Sequence, residues 1–371
     1  MERVTKFFGG KFKSALSLPR LEEDLPEYNN SETLVLKIWP PTYAPSWHYY
    51  QLHQANYWSA TEHEPLEDVS GFIKLDSQWQ KAVLHSFAIL AIGDDAVMQF
   101  IDENDLEWEE CTQWMFKDQG ARETIHKIVY NKMLHLADHS SEFTTSMLTS
   151  KKYINYILHN NSDLKLQKYK LEDEVMKKAA FLIKMIFCER YLFATPFLVI
   201  NLMGESGFLN NCVRINMQVM KDEHVHYLHA VQLFRDLKPK SDQIDEINKL
   251  FFDMAQEFVE IVENMIMKIG AGLESKYKQG FLDHSRFTLH TIYSDCGIDV
   301  PQSLAEYTTT PFIVFDKNTG ADKFNLMESN STVYKAVRAQ YVPDWNNLQD
   351  EEADKEIVVE CKLKKRKRDC T

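Results

Sequence analysis

The chain has 371 residues and 44% hydrophobic content, enough to bury one large core or two ordinary ones. Its net charge of −13 argues against a general nucleic-acid binder. Six scattered cysteines without a CxxC pair suit a reducing compartment and argue against structural zinc.

Twelve glycines and eleven prolines are few for this length. With so many Leu, Met, Glu and Lys, the composition predicts an all-α fold. The first twenty residues lack a continuous apolar segment and read as a loose basic lead rather than a signal. Residues 1–33 are polar and are expected to be flexible. "LVLKIWPPTYAPSW", 34–47, is broken by proline and is expected to be extended, packed on a helical body. Helical periodicity is read from about residue 48. It predicts a long buried helix over 77–101, a second over roughly 105–136, and another within "SEFTTSMLTSKKYINYIL".

Residues 172–203 are apolar on several faces and contain Pro196, so a kink or local unwinding is expected there. The most apolar run, 191–203, is too short to span a bilayer, and no membrane association is expected. Helices are predicted over 208–237 and 242–275, and the pattern breaks into short pieces from about 295. The end of the chain is acidic over 344–360 and basic over 361–371, a block pattern that usually stays disordered. The terminal "KKRKR" reads as solvated charge rather than as a nuclear address or nucleic-acid contact.

Two ExxH pairs lie on predicted helices, Glu123/His126 and Glu223/His226. Positions i and i+3 share a helix face, so each pair can present a carboxylate and an imidazole together. One such pair is weak evidence in a chain with 13 histidines. Two more carboxylates, Asp94 in "AILAIGDDAV" and Glu189 in "KMIFCERYLF", sit in apolar helix faces. A buried lone carboxylate needs a cation or a proton. The spacings from Asp94 to Glu123 and from Glu189 to Glu223 each suit an out-and-back pair of helices. Four helices would then bring six side chains to one point, the carboxylate-bridged two-metal arrangement of ferritin-like bundles. Four carboxylates would neutralise two divalent cations, and mixed carboxylate and imidazole ligation suits iron or manganese. The residues alone leave open another ferritin-like di-iron oxidase or hydroxylase, or a non-catalytic iron-binding helical protein.

The segments "LKIWPPTYAPSWHYYQLHQANYW", "FAILAIGDDAV", "ETIHKIVY", "CERYLFATPF" and "KDEHVH" carry a family resemblance. Over roughly 34–335 the chain resembles the small, radical-bearing subunit of class I ribonucleotide reductase. The resemblance implies a ferritin-like helical bundle over 34–310 with extra helices, flexible termini and a docking tail over 311–371. It implies a cytoplasmic homodimer that works with a separate large subunit to reduce ribonucleotides to deoxyribonucleotides. Carried over by motif, Asp94, Glu123 and His126 would hold one metal, and Glu189, Glu223 and His226 the other. The cofactor implied is two iron ions per chain, with manganese possible, activated by dioxygen. The radical tyrosine falls on Tyr130, one helical turn beyond His126. The apolar lining falls on Phe193, Phe197 and Val219. The radical's exit falls on Trp58, Asp222 and His126, with Tyr334 in "STVYKA" as the bridging tail tyrosine. The chain departs from the family pattern at Gln119, Lys221 and Arg122, and in its long tail ending "KKRKRDCT".

Overall fold

The computed structural model describes residues 41, 43–137 and 173–312. The expected helix within 141–158, residues 1–33, the tail beyond Phe312 and Tyr334 therefore lie outside the described residues. The described secondary structure is helical, with no strand among these residues.

The first helix, α1 (Ala44–Ala55), carries Pro45 in its first turn. The 44–47 part of the segment expected to be extended is therefore helical. Proline's fixed φ suits the start of a helix, where its missing N–H costs nothing. After single turns at Pro65–Asp68 and Val69–Phe72 comes α2 (Ser77–Asp102). Its start is capped by Asp76, whose side chain accepts from the Gln78 amide at 2.8 Å. α2 is long and apolar enough to cross a membrane, but 67% of its apolar window is buried inside the fold, which makes it a core helix. α3 (Glu110–Leu134) returns along it and makes the most extensive helix pairing among the described residues.

α4 (Glu174–Ile186) starts at the Asp173 cap and runs into a π-helical stretch, Phe187–Leu192, then α5 (Phe193–Ser206). The irregularity expected at Pro196 thus lies just upstream of it. Pro196 has no N–H to offer the carbonyl four residues back, that of Leu192, where the π stretch ends. α6 (Asn210–Arg235) follows and packs against α1, α4 and α5.

The helix expected over 242–275 ends six residues early, and the helix that follows it was not drawn from the sequence. α7 (Ser241–Ile269) ends at Gly270, and α8 (Ser275–Cys296) begins after a turn in which Gly272 has φ +85°. That left-handed backbone suits glycine and stops the helix. The aromatic core between these layers includes Phe187 stacked on Phe258, with ring centroids 5.1 Å apart.

Candidate metal centre

Four stretches of helix deliver the six sequence-derived candidates. Asp94 comes from α2, Glu123 and His126 from α3, Glu189 from the π stretch, and Glu223 and His226 from α6. All six are buried. They fall into two groups, Asp94, Glu123, His126 and Glu223, and Glu123, Glu189, Glu223 and His226. Within each group the donor atoms lie within 4.8 Å of one another. Glu123 and Glu223 belong to both groups, so these are the two carboxylates positioned to bridge.

Both imidazoles turn Nδ1 toward the carboxylates. His126 Nδ1 lies 2.8 Å from Glu223 Oε1 and 3.2 Å from Glu123 Oε2. His226 Nδ1 lies 2.9 Å from Glu223 Oε2, 3.1 Å from Glu123 Oε1 and 3.7 Å from Glu189 Oε2. Both oxygens of Asp94 are buried without a hydrogen-bond partner. Such a group is costly in a native core unless a cation satisfies it. The donor set of carboxylates and imidazoles fits two divalent metal ions of the iron or manganese type.

The electrostatics point the same way. Burial and the neighbouring carboxylates push Asp94 and Glu189 well above the usual carboxylate range. Burial works against charge on His126 and His226, yet the Glu223 charge and their carboxylate partners hold both well above an ordinary histidine. Burial also works against Glu223, but its bond with Glu189 and the two imidazoles hold it well below its ordinary value. The cluster's field therefore attracts positive charge, and bound metals would take the place of these protons.

Tyr130 is fully buried on α3. Burial, with the nearby charges of Asp94 and Glu223, raises its phenol well above the ordinary value, so the hydroxyl stays protonated. The phenol donates to Asn216 Oδ1 at 2.9 Å. Asn216 Nδ2 in turn donates to Asn201 Oδ1 at 2.8 Å and to the Phe197 carbonyl at 3.3 Å. Phe87 has its ring centroid 6.5 Å from that of Tyr130, and Phe193, Phe197 and Val219, the lining the family resemblance implied, are all buried. Asn216, the hydrogen-bond partner of the phenol, was not singled out from the sequence.

Trp58 is buried and donates Nε1–H to Asp222 Oδ2 at 2.7 Å. His126 Nε2 lies 3.2 Å from the same oxygen, and the Trp58 and His126 rings stack with centroids 5.9 Å apart and 13° between planes. The structure thus joins Trp58, Asp222 and His126 in one contact chain. Four further residues escaped the sequence reading as site components. Gln119 Nε2 donates to Glu189 Oε1 at 2.6 Å. Arg122 is buried, donates from Nη2 to the His53 carbonyl at 3.1 Å, and lies over the Tyr57 ring at 4.5 Å. His53 Nε2 is 3.0 Å from His226 Nε2, and His53 Nδ1 is 2.6 Å from Asp118 Oδ2. For Gln119 the signal was available: it stands one helical turn before Glu123 on α3.

A buried cluster of carboxylates and imidazoles, supplied by four stretches of helix in a ferritin-like bundle, defines the class as the di-metal carboxylate proteins. Within that class, the chain belongs to the ribonucleotide reductase small chain family, whose family model matches residues 35–287. Solved structures agree on the fold. The dimanganese(II)-NrdF of Streptococcus sanguinis superposes with a TM-score of 0.57 at 15% identity, covering 79% of this chain and 98% of that one. The ribonucleotide reductase R2 subunit of Clostridium botulinum gives 0.58 at 13% identity, covering 74% and 86%.

Proposed function

We propose that this small chain holds two metal ions between Asp94, Glu123, His126, Glu189, Glu223 and His226, and uses them to place a radical on Tyr130. The reading is carried by one observation: two donor groups share Glu123 and Glu223 in a sealed core. When bound, the metal pair supplies the oxygen-dependent oxidation. Iron is the metal proposed, with manganese accepted by the same donors. Manganese also appears in the name of the Streptococcus sanguinis neighbour.

The protein's own residues do the rest. Glu123 and Glu223, which belong to both donor groups, would serve both metals, and Asp94 and Glu189 would each serve one. Tyr130 would give its electron and phenolic proton to the oxidant that the metal pair generates from oxygen, and the buried Phe193, Phe197 and Val219 would keep water and reductants from the resulting radical. Asp222 accepts from both His126 and Trp58, which couples the metal-side imidazole to an indole leading outward. Tyr334 completes the route to the large subunit. The chain works as a cytoplasmic homodimer with that subunit and contacts neither membrane nor nucleic acid.

Electron paramagnetic resonance after anaerobic Fe(II) loading and oxygen exposure tests the reading. The unsubstituted chain should bind two metals and show a persistent tyrosyl signal. Tyr130→Phe should keep both metals and lose that signal. The same tyrosyl spectrum in the variant would place the radical on another residue.

A further inference from the structure

The two candidate imidazole ligands are backed in different ways. His126 Nε2 meets a carboxylate directly, at 3.2 Å from Asp222. His226 Nε2 meets another histidine, His53, at 3.0 Å, and that ring reaches Asp118 through its other nitrogen at 2.6 Å. His53 is fully buried on α1, while the Asp118 side chain on α3 retains 19% exposure. The linkage spans 173 positions of sequence between His53 and His226, so it exists only in the folded chain.

The direction of the hydrogen bonds along this arm follows from its outer end. An ionised Asp118 can only accept, so His53 Nδ1 carries a proton and donates it. A neutral His53 then offers a lone pair at Nε2. His226 must fill the 3.0 Å contact by donating from its own Nε2–H. That leaves the lone pair of His226 at Nδ1, the nitrogen turned toward Glu123, Glu189 and Glu223. A metal-bound histidine needs this tautomer, and its other N–H is normally held by a partner that fixes the ring. Arg122 anchors the arm by donating to the His53 carbonyl at 3.1 Å, while its Nη1 stands 3.9 Å from Asp222. One guanidinium thus stands between the supports of both imidazoles.

We propose that His53 and Asp118 are positioning residues for one metal only, the one held by Glu189, Glu223 and His226. They fix His226 as the Nδ1 ligand through a histidine–carboxylate relay, whereas Asp222 serves His126 directly. The two metal positions are therefore unequal: one imidazole is backed by an anion and the other by a neutral ring. This proposal rests on the two-metal reading above.

The test is Mn(II) titration of the full chain, with free Mn(II) counted from its solution electron paramagnetic resonance signal. The unsubstituted chain should take up two ions. His53→Leu should weaken one of the two by about 10–100-fold and leave the other unchanged. His53→Gln, whose amide oxygen can still accept from His226 Nε2–H, should recover most of that loss. Asp118→Asn, at the partly exposed end of the arm, should weaken the same ion by a smaller factor and tests the relay even if His53→Leu does not fold. Unchanged uptake in Asp118→Asn, or equal weakening of both ions in His53→Leu, would overturn the proposal. An unsubstituted chain that binds no Mn(II) or Fe(II) would remove the two-metal reading itself and this arm with it.

Discussion

Asn216 shows how a single side chain changes the character of a site. The family resemblance implies an apolar lining for Tyr130, and the residues it points to, Phe193, Phe197 and Val219, are buried. Yet the phenol hydroxyl in a dry core needs an acceptor, and Asn216 Oδ1 supplies it at 2.9 Å. The asparagine is itself held by Asn201 and the Phe197 carbonyl, so its amide is fixed on both sides. Asn216→Leu, of similar size, should leave the phenol, Asn201 Oδ1 and the Phe197 carbonyl short of partners. A loss of about 1–3 kcal/mol is expected from stranding such groups, read as a lower urea midpoint. An unchanged midpoint would mean that the hydroxyl finds another partner at no cost.

At the scale of elements, the π stretch Phe187–Leu192 and the glycine opposite it work together. Glu189 lies inside the stretch, where the helix departs from its regular turn. Phe193 begins α5 immediately afterward, and its ring lies against Gly93 of α2, beside Asp94. A Cβ at position 93 would stand 2.3 Å from Phe193 Cε1, so the close approach of these helices requires glycine. Gly93→Ala should push the Phe193 ring away and disturb Asp94. Overpacking of this kind costs about 1–3 kcal/mol, and here it should also lower metal content after reconstitution. Full metal content with unaltered thermal stability would show that α2 and α5 can separate freely.

Across the whole molecule, buried neutral histidines make the fold sensitive to acid. Burial pushes His229 down to about 3, with further repulsion from His226 and His53. Burial and the charge of Arg190 likewise push His284 down to about 3. Both start from an ordinary value of 6.5, so the unfolded chain binds more protons than the folded one between pH 6.5 and 3. Stability from these groups is therefore fully present above that window and is lost as pH falls through it. From pH 6.5 to 5.5 each should remove about 1 kcal/mol, measurable as a falling urea midpoint. His229→Gln, retaining a polar partner for Ser46, should flatten that slope; an identical slope would assign the acid sensitivity to other groups. The proposed long-range route adds a prediction beyond the described residues: Tyr334→Phe should retain the radical proposed for Tyr130 and lose turnover with the large subunit. Normal turnover would remove Tyr334 from the route.

Periodicity, spacing and composition determined the all-helical class, and the paired ExxH motifs with Asp94 and Glu189 pointed to one shared site. These are signals of local order: a helix face repeats every turn, so a carboxylate and an imidazole three positions apart must emerge together. The same local signals misplaced the start of α1 and carried α7 past its end up to the start of α8, because a proline or a glycine pair shifts a boundary without altering the apolar pattern. The grouping of Trp58, Asp222 and His126 came from the family resemblance; only the tertiary structure decided which carboxylates stand in both groups, what Arg122 touches, and that His53 backs His226. The Trp58–Asp222 bond joins positions 164 apart, and the Tyr130–Asn216 bond positions 86 apart. Such pairings depend on how helices pack and rotate against each other, and no periodicity within a single helix encodes that angle.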